Sequence, residues 1–152
     1  MKALLAALLF AFCLLCPCAH AQQDEARRSQ FLAREAKAKQ GDANAQYNLG
    51  GSYYFGAGVA KDYVEAVKWI RKAAEQGLAL AQYDLGVCYK IGKGVEKDYV
   101  EAYAWCNLAS ATNKFAGKTR DDLEKEMSPQ QIADAQKRTR ELRAIVEAKA
   151  AK

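Results

Sequence analysis

Residues 43–114 are one 36-residue block written twice, and this duplication limits the possible folds more than any other feature of the chain. The first copy is Ala43–Leu78 and the second Ala79–Lys114, and they agree at 18 of 36 positions. The shared pattern is A-x-A-Q-Y-x-L-G, a tyrosine, G-x-G-V-x-K-D-Y-V-E-A, then Trp and Ala. In copy one it runs through Ala45, Gln46, Tyr47, Leu49, Gly50, Tyr53, Gly56, Gly58, Val59, Lys61, Asp62, Tyr63, Val64, Glu65, Ala66, Trp69 and Ala73. A period of about 20–50 residues marks stacked repeats, in which each unit buries its apolar face on the next.

Each copy reads as two helices. Ala45, Leu49 and Tyr53 recur every four residues, so the first helix spans about Ala43–Phe55. A glycine inside a helix costs about 1 kcal/mol against alanine. Its return at Gly50 and Gly86 therefore points to close approach of a neighbouring helix. Gly56-Ala57-Gly58 ends the helix, and Asp62 starts the second. Asp62 with Glu65, and Asp98 with Glu101, have the spacing of a capping box. Ala66, Trp69, Ile70 and Ala73 form the second helix's apolar stripe, and Gln76-Gly77 closes it.

The L-G-x-x-Y motif of the first helix is shared with tetratricopeptide repeats, whose period is shorter. The 36-residue period and the G-x-G-V-x-K-D-Y connection resemble a Sel-one-like repeat, a sister family, over residues 43–111. The resemblance implies an all-α, right-handed α/α solenoid of two full repeats, 43–78 and 79–114, flanked by degenerate capping helices. It also implies an adaptor in multiprotein assemblies, often in bacterial envelopes.

The flanks fit such a stack. Met1–Ala21 has a single-lysine start, an apolar run from Ala3 to Cys16 and an A-x-A site at Ala19-His20-Ala21. These are the parts of a secretory signal peptide, too short for a spanning helix, with cleavage expected after Ala21. Lipid attachment is the competing reading, but Leu15 and Pro17 precede Cys16 and Cys18 where a lipid box wants a small residue. A periplasmic or secreted location follows as an expectation, with no membrane span and a monomeric chain. Residues 22–42 read as a capping helix carrying Phe31, Ala33, Ala36 and Ala38, with a first dozen residues polar enough to stay disordered. Residues 115–152 read as a degenerate capping hairpin, with one helix from Lys114 to Glu126 turning Phe115, Leu123 and Met127 inward. Ser128-Pro129-Gln130-Gln131 starts the last helix, with Ile132, Ala135, Leu142, Ile145 and Val146 as its stripe. The alternative for that helix is a basic surface for an anionic partner.

Several chemistries are disfavoured. The single histidine, His20, lies in the leader, so His-activated nucleophiles and His-dependent metal sites are not expected in the processed chain. The G-x-G elements lack the third glycine of a dinucleotide fingerprint and the lysine ending of a P-loop. Losing Lys2 with the leader lowers the net charge from +5 to +4, too little for a nucleic-acid footprint. No catalytic residue, cofactor or metal is expected. Cys88 and Cys106 fall on the two helices of one hairpin, about 7–8 Å out of level along the axis. That offset disfavours a bridge and suits two buried free thiols, although an oxidising compartment keeps the bridge in play.

Partner contacts are expected on the first helices, where the copies differ. These positions pair Asn44 with Leu80, Asn48 with Asp84, Gly51 with Val87, Tyr54 with Lys90 and Phe55 with Ile91. Tyr54 is the expected anchor, since tyrosine is enriched at interface hot spots. Leu78 and Leu80, which replace Asp42 and Asn44, either pack on the leading helix or form an apolar patch. The expected function is an exported protein–protein interaction module. The alternative is a small periplasmic hydrolase or a peptidoglycan- or glycan-binding protein.

Overall fold

In a computed structural model, the backbone is described for residues 2–151 and side chains for residues 21–151. These residues form seven helices and no strand: α1 Lys2–Lys39, α2 Ala43–Phe55, α3 Tyr63–Glu75, α4 Ala79–Ile91, α5 Tyr99–Ala109, α6 Lys114–Glu126 and α7 Pro129–Ala150. The chain is an α/α solenoid in which α2–α3 and α4–α5 are the two repeat hairpins. The side chains of Lys2, Cys16, Cys18 and His20, named in the signal-peptide expectation, lie outside the described residues.

The shared residues explain why each unit looks alike. Asp62 accepts from the Glu65 amide at 2.9 Å, and Asp98 accepts from the Val100 and Glu101 amides at 2.8 and 3.1 Å. These aspartates cap α3 and α5, but the reciprocal half of the capping box is absent. The Asp62 and Asp98 amides donate instead to the Tyr53 and Tyr89 carbonyls, each at 3.0 Å, which ties the loop back to the preceding helix. Glu65 is left to pair with Lys68 at 2.9 Å. Glu101 takes Trp105 Nε1 at 3.0 Å and Arg138 at 2.5 Å. The expectation that these glutamates are caps is therefore corrected: the aspartate alone terminates the helix, and Glu101 fastens α7.

The stack is held by a second shared residue. The Gln46 side-chain amide donates to the Ala38 carbonyl, and Gln82 to the Ala74 carbonyl, both at 3.1 Å and buried. These carbonyls also accept from the Gly41 and Gly77 amides, at 3.1 and 3.0 Å, so the buried glutamine of the next hairpin fills a second acceptor position on each. The Gly58 backbone, at φ +79°, lies against the Arg27 carbonyl, as Gly94 at φ +74° lies against that of Tyr63. Both the left-handed dihedral and the lack of room for a Cβ demand glycine there. Arg27 and Ala38 each stand one period before Tyr63 and Ala74, so the end of α1 occupies the place that α3 occupies in the next unit. These contacts, with buried Phe31, hold residues 22–39 in a continuous helix where a disordered start was expected.

The central core joins Val67, Ile70, Ala73 and Ala74 of α3, Ala81, Leu85 and Cys88 of α4, Ala104 and Trp105 of α5, and Leu142 of α7. At the C-terminal end, α6 and α7 both pack on α5, and α7 reaches back to α3. Lys149 pairs with Glu75 there. The expected hairpin is thus a clasp laid over the last repeat. Asn113 caps α6 by accepting from Phe115 and Ala116 amides, a phase that turns Ala116 and Leu123 inward. Phe115 is 62% exposed rather than facing in. The inward stripe of α7 is Ala135, Thr139 and Leu142, with Ile145 exposed. The Thr139 hydroxyl is satisfied by the Ala135 carbonyl at 2.8 Å. Ser128 and Gln131 do form a full capping box.

Candidate functional site

A groove of about 480 Å³ runs between α2 and α4, with Arg34 of α1 in its lining. Its lining comes in pairs one period apart: Asn48 with Asp84, Gly51 with Val87, Ser52 with Cys88, Phe55 with Ile91, and Arg34 with Ile70. Tyr47, Tyr54 and Ala57 complete it. The pairing follows from the fold. Two first helices stacked in register present equivalent positions to the same strip of surface, with second-helix residues forming the floor.

The groove has an apolar rim and two polar ends. Phe55 is 75% exposed and Ile91 55%, large apolar side chains left in water at the C-terminal ends of α2 and α4. Tyr54 is half-buried, edge-on to Phe55 and Tyr63 at 5.0 Å, with the Lys93 ammonium 4.9 Å from its ring. Tyr47 donates to Asp84 Oδ2 at 2.8 Å. Burial, then this bond to Asp84, pushes the Tyr47 hydroxyl up to about 12. Burial also raises the Asp84 carboxyl, opposed by the bond from Tyr47. At the other end Arg34 Nη1 donates to Ser52 Oγ at 3.1 Å. Arg34 reaches the groove because it lies three residues after Phe31 and four before Ala38, on the buried side of α1.

Of the positions proposed from sequence, Asn48, Tyr54, Phe55, Asp84 and Ile91 share this groove. Asn44 lines an adjoining recess with Lys37 and Arg34. Leu78 does not reach either: it packs on the central core and occupies the N-cap of α4 without a side-chain cap bond. Leu80 stands apart, 54% exposed. Lys90 faces the α5–α6 side, where its charge acts on Cys106 and Asp122. Arg34 and Tyr47 were missed. Tyr47 is identical in both copies and so read as scaffold. The signal for Arg34 was available, a charge in phase with Phe31 and Ala38.

The chemistry offered is contact and hydrogen bonding. The Ser52 hydroxyl donates to the Asn48 carbonyl at 3.1 Å and has no base beside it. The Cys88 thiol is pushed up to about 11, by burial first and by Asp84 second, which suppresses the thiolate a nucleophile needs. Burial likewise raises Cys106, to about 12. Both are free and buried. Among the described residues no His, Cys, Asp and Glu cluster could hold a metal ion, and no helix is long and apolar enough to cross a membrane.

A model of the Sel1 repeat matches residues 43–78 and 79–111. A solved structure of c5321, a protective antigen of uropathogenic Escherichia coli strains with an SLR fold, is similar. The two are 37% identical with a TM-score of 0.76, over 82% of this chain and 27% of that one. A Sel1 repeat protein from Oxalobacter formigenes is 43% identical with a TM-score of 0.55, over 57% of this chain and 35% of that one. The chain thus spans about a third or less of the length of the structures it matches. No match was found among curated proteins. Sel1 repeats generally serve as protein–protein interaction modules, on a scaffold that is typically non-catalytic. Residues 43–78 and 79–111 are thus two Sel1 repeats.

Proposed function

We propose that this protein is an adaptor of the bacterial envelope that seats a polypeptide partner in the α2–α4 groove. One observation carries this reading. Three pairs of positions at which the two repeats diverge, 48 with 84, 51 with 87 and 55 with 91, line one groove, and they leave Phe55 and Ile91 exposed there. Shared residues build most of the stack, Tyr47 lining the groove as well, and these differing pairs supply much of the rest of that lining. Exposed aromatic and aliphatic side chains beside hydrogen-bonding groups are the composition of a docking site. Export rests on the leader pattern of residues 1–21, and the protective antigen among the similar structures fits it.

Affinity capture from an envelope extract tests the adaptor reading, with the native chain beside a Phe55→Ser/Ile91→Ser variant. Lys90→Ala serves as a control on the face turned away. A protein held by the native chain and the control but lost from the variant is the expected result. Equal capture by all three would place docking elsewhere. Amino-terminal sequencing of protein recovered from the periplasm tests export, with Gln22 expected as the first residue.

A further inference from the structure

We infer that the groove's partner is a polypeptide segment carrying a carboxylate next to an apolar side chain, with the carboxylate seated on Arg34 and the apolar group on Phe55 and Ile91. This rests on the groove being a docking site and adds the chemistry of the occupant. Arg34 is half-buried on the inward side of α1, and among the described residues one of its five N–H donors is engaged, by the uncharged Ser52 hydroxyl. Among the described residues no carboxylate comes within ion-pair distance of Arg34; of the other arginines without one, Arg28, Arg140 and Arg143 are exposed and Arg71 is engaged by the Tyr89 hydroxyl and ring, so Arg34 is the half-buried one that lines the groove. A guanidinium held partly out of water with its fork open is arranged for a bidentate carboxylate.

The groove's own acid does not fill that role. Asp84 lies on α4 and accepts the Tyr47 hydroxyl at 2.8 Å. Its charge disfavours a second acid at that end, so the two ends are electrostatically unequal and a bound segment has one preferred direction. The recess that shares Arg34 and Asn48 with the groove holds both Lys37 and Asp42, and the Asp42 carboxylate is engaged by the Ala45 amide at 2.6 Å as the cap of α2, so Arg34 remains the groove's own cation on that side. Between the ends the lining is Ile70 of α3 with Val87 and Cys88 of α4, which offers nothing to a polyanion and favours a side chain such as leucine or phenylalanine. Charge complementarity at one end and apolar complementarity at the rim together select an acidic, apolar-containing stretch of protein.

A random dodecapeptide library displayed on phage and selected on the full chain reads this out. Selection on Arg34→Gln and on Phe55→Ser/Ile91→Ser runs in parallel, and circular dichroism verifies that each variant remains helical. The native chain is expected to enrich peptides with Asp or Glu close to Leu or Phe. In fluorescence anisotropy, changing that acid to its amide should weaken an enriched peptide about tenfold or more, the scale of one charge-assisted hydrogen bond. Arg34→Gln should bind acid and amide forms alike, and Arg34→Lys should recover part of the preference. Peptides lost from the Phe55/Ile91 variant but showing no preference for the acid would overturn the carboxylate assignment and leave the docking site standing. So would a preference that survives Arg34→Gln. No enrichment by the native chain over that variant would overturn both readings.

Discussion

Adjacent glycines in α2 should respond to alanine with opposite signs. At Gly51 nothing lies within 4 Å of where a Cβ would stand. Gly51→Ala therefore collects the helix-propensity difference, a stabilisation of about 1 kcal/mol. At Gly50 the same atom would stand 2.6 Å from Ile70 Cγ1, 3.0 Å from the Ala66 carbonyl oxygen and 3.2 Å from the Ile70 nitrogen. Two of those three atoms are α3 backbone, so the crowding is relieved only by moving α2 away from α3. Overpacking of this kind costs about 1–3 kcal/mol. Both substitutions gain the same propensity, so it cancels between them and the difference in stability reads the packing cost alone. Urea unfolding followed by circular dichroism measures it as a gap in midpoints at a common slope. Gly86→Ala is the internal replicate, because its Cβ would stand 2.6 Å from Cys106 Sγ and 3.0 Å from the Ala102 carbonyl oxygen. If Gly50→Ala unfolds at the same urea concentration as Gly51→Ala, or later, α2 and α3 are not in the close contact described and the reasoning fails.

Capping should separate the aspartates from the glutamates that follow them. Asp98→Ala leaves two amides without their acceptor and should cost about 1 kcal/mol. Glu65→Ala loses only an exposed pair with Lys68 and should cost about 0.5 kcal/mol or less; equal losses would contradict the half-box. Arg138→Ala removes the tie between α7 and Glu101 and should lower stability by about 1–2 kcal/mol in the same urea assay, with exposed Arg140→Ala near zero as its control. The thiols and Tyr47 predict an alkaline weakness. Folding raises Cys88 and Cys106 from 9.0 to about 11 and about 12, and Tyr47 from 10.0 to about 12. Over those windows the unfolded chain has released protons that the folded chain still holds. Stability should therefore be full below pH 9 and fall as pH rises from there to about 12, each group adding up to about 1.4 kcal/mol per pH unit. Urea midpoints that stay flat between pH 9 and 11 would refute this, and Tyr47→Phe should flatten the part of the decline above pH 10.

How much of this was legible follows from how far apart the interacting residues lie. Short-range signals were strong: α2 and α6 run over the spans read from periodicity, and Pro129 opens α7 as its cap pattern indicates. The role of Glu101 was not legible. A capping-box spacing describes residues three apart, while the partner that claims the carboxylate, Arg138, is 37 residues away. The same distance hid the Tyr47–Asp84 bond, again 37 residues, so a tyrosine read as scaffold also lines the groove. Comparing two copies separates fixed from varied positions and points to Asn48, Phe55, Asp84 and Ile91. It is silent on Arg34, which lies in α1 before the first full copy begins.

Arg34 is also the position at which the repeat shows why its ends differ from its middle. Positions 34, 70 and 106, one period apart, carry Arg, Ile and Cys. Ile70 and Cys106 each lie against a glycine of their own hairpin, Gly50 and Gly86, and against the hairpin that follows. Ile70 is buried at 4% exposure, so an arginine there would be an enclosed charge without a partner, a state that costs several kcal/mol. The position one period before Gly50 lies within α1 itself, so no separate helix stands against Arg34 on that side. The stack therefore tolerates a cation at its first rung and excludes one at the next two. Under the docking proposed above, the rung at which the solenoid carries a charge at little cost is one that lines the groove.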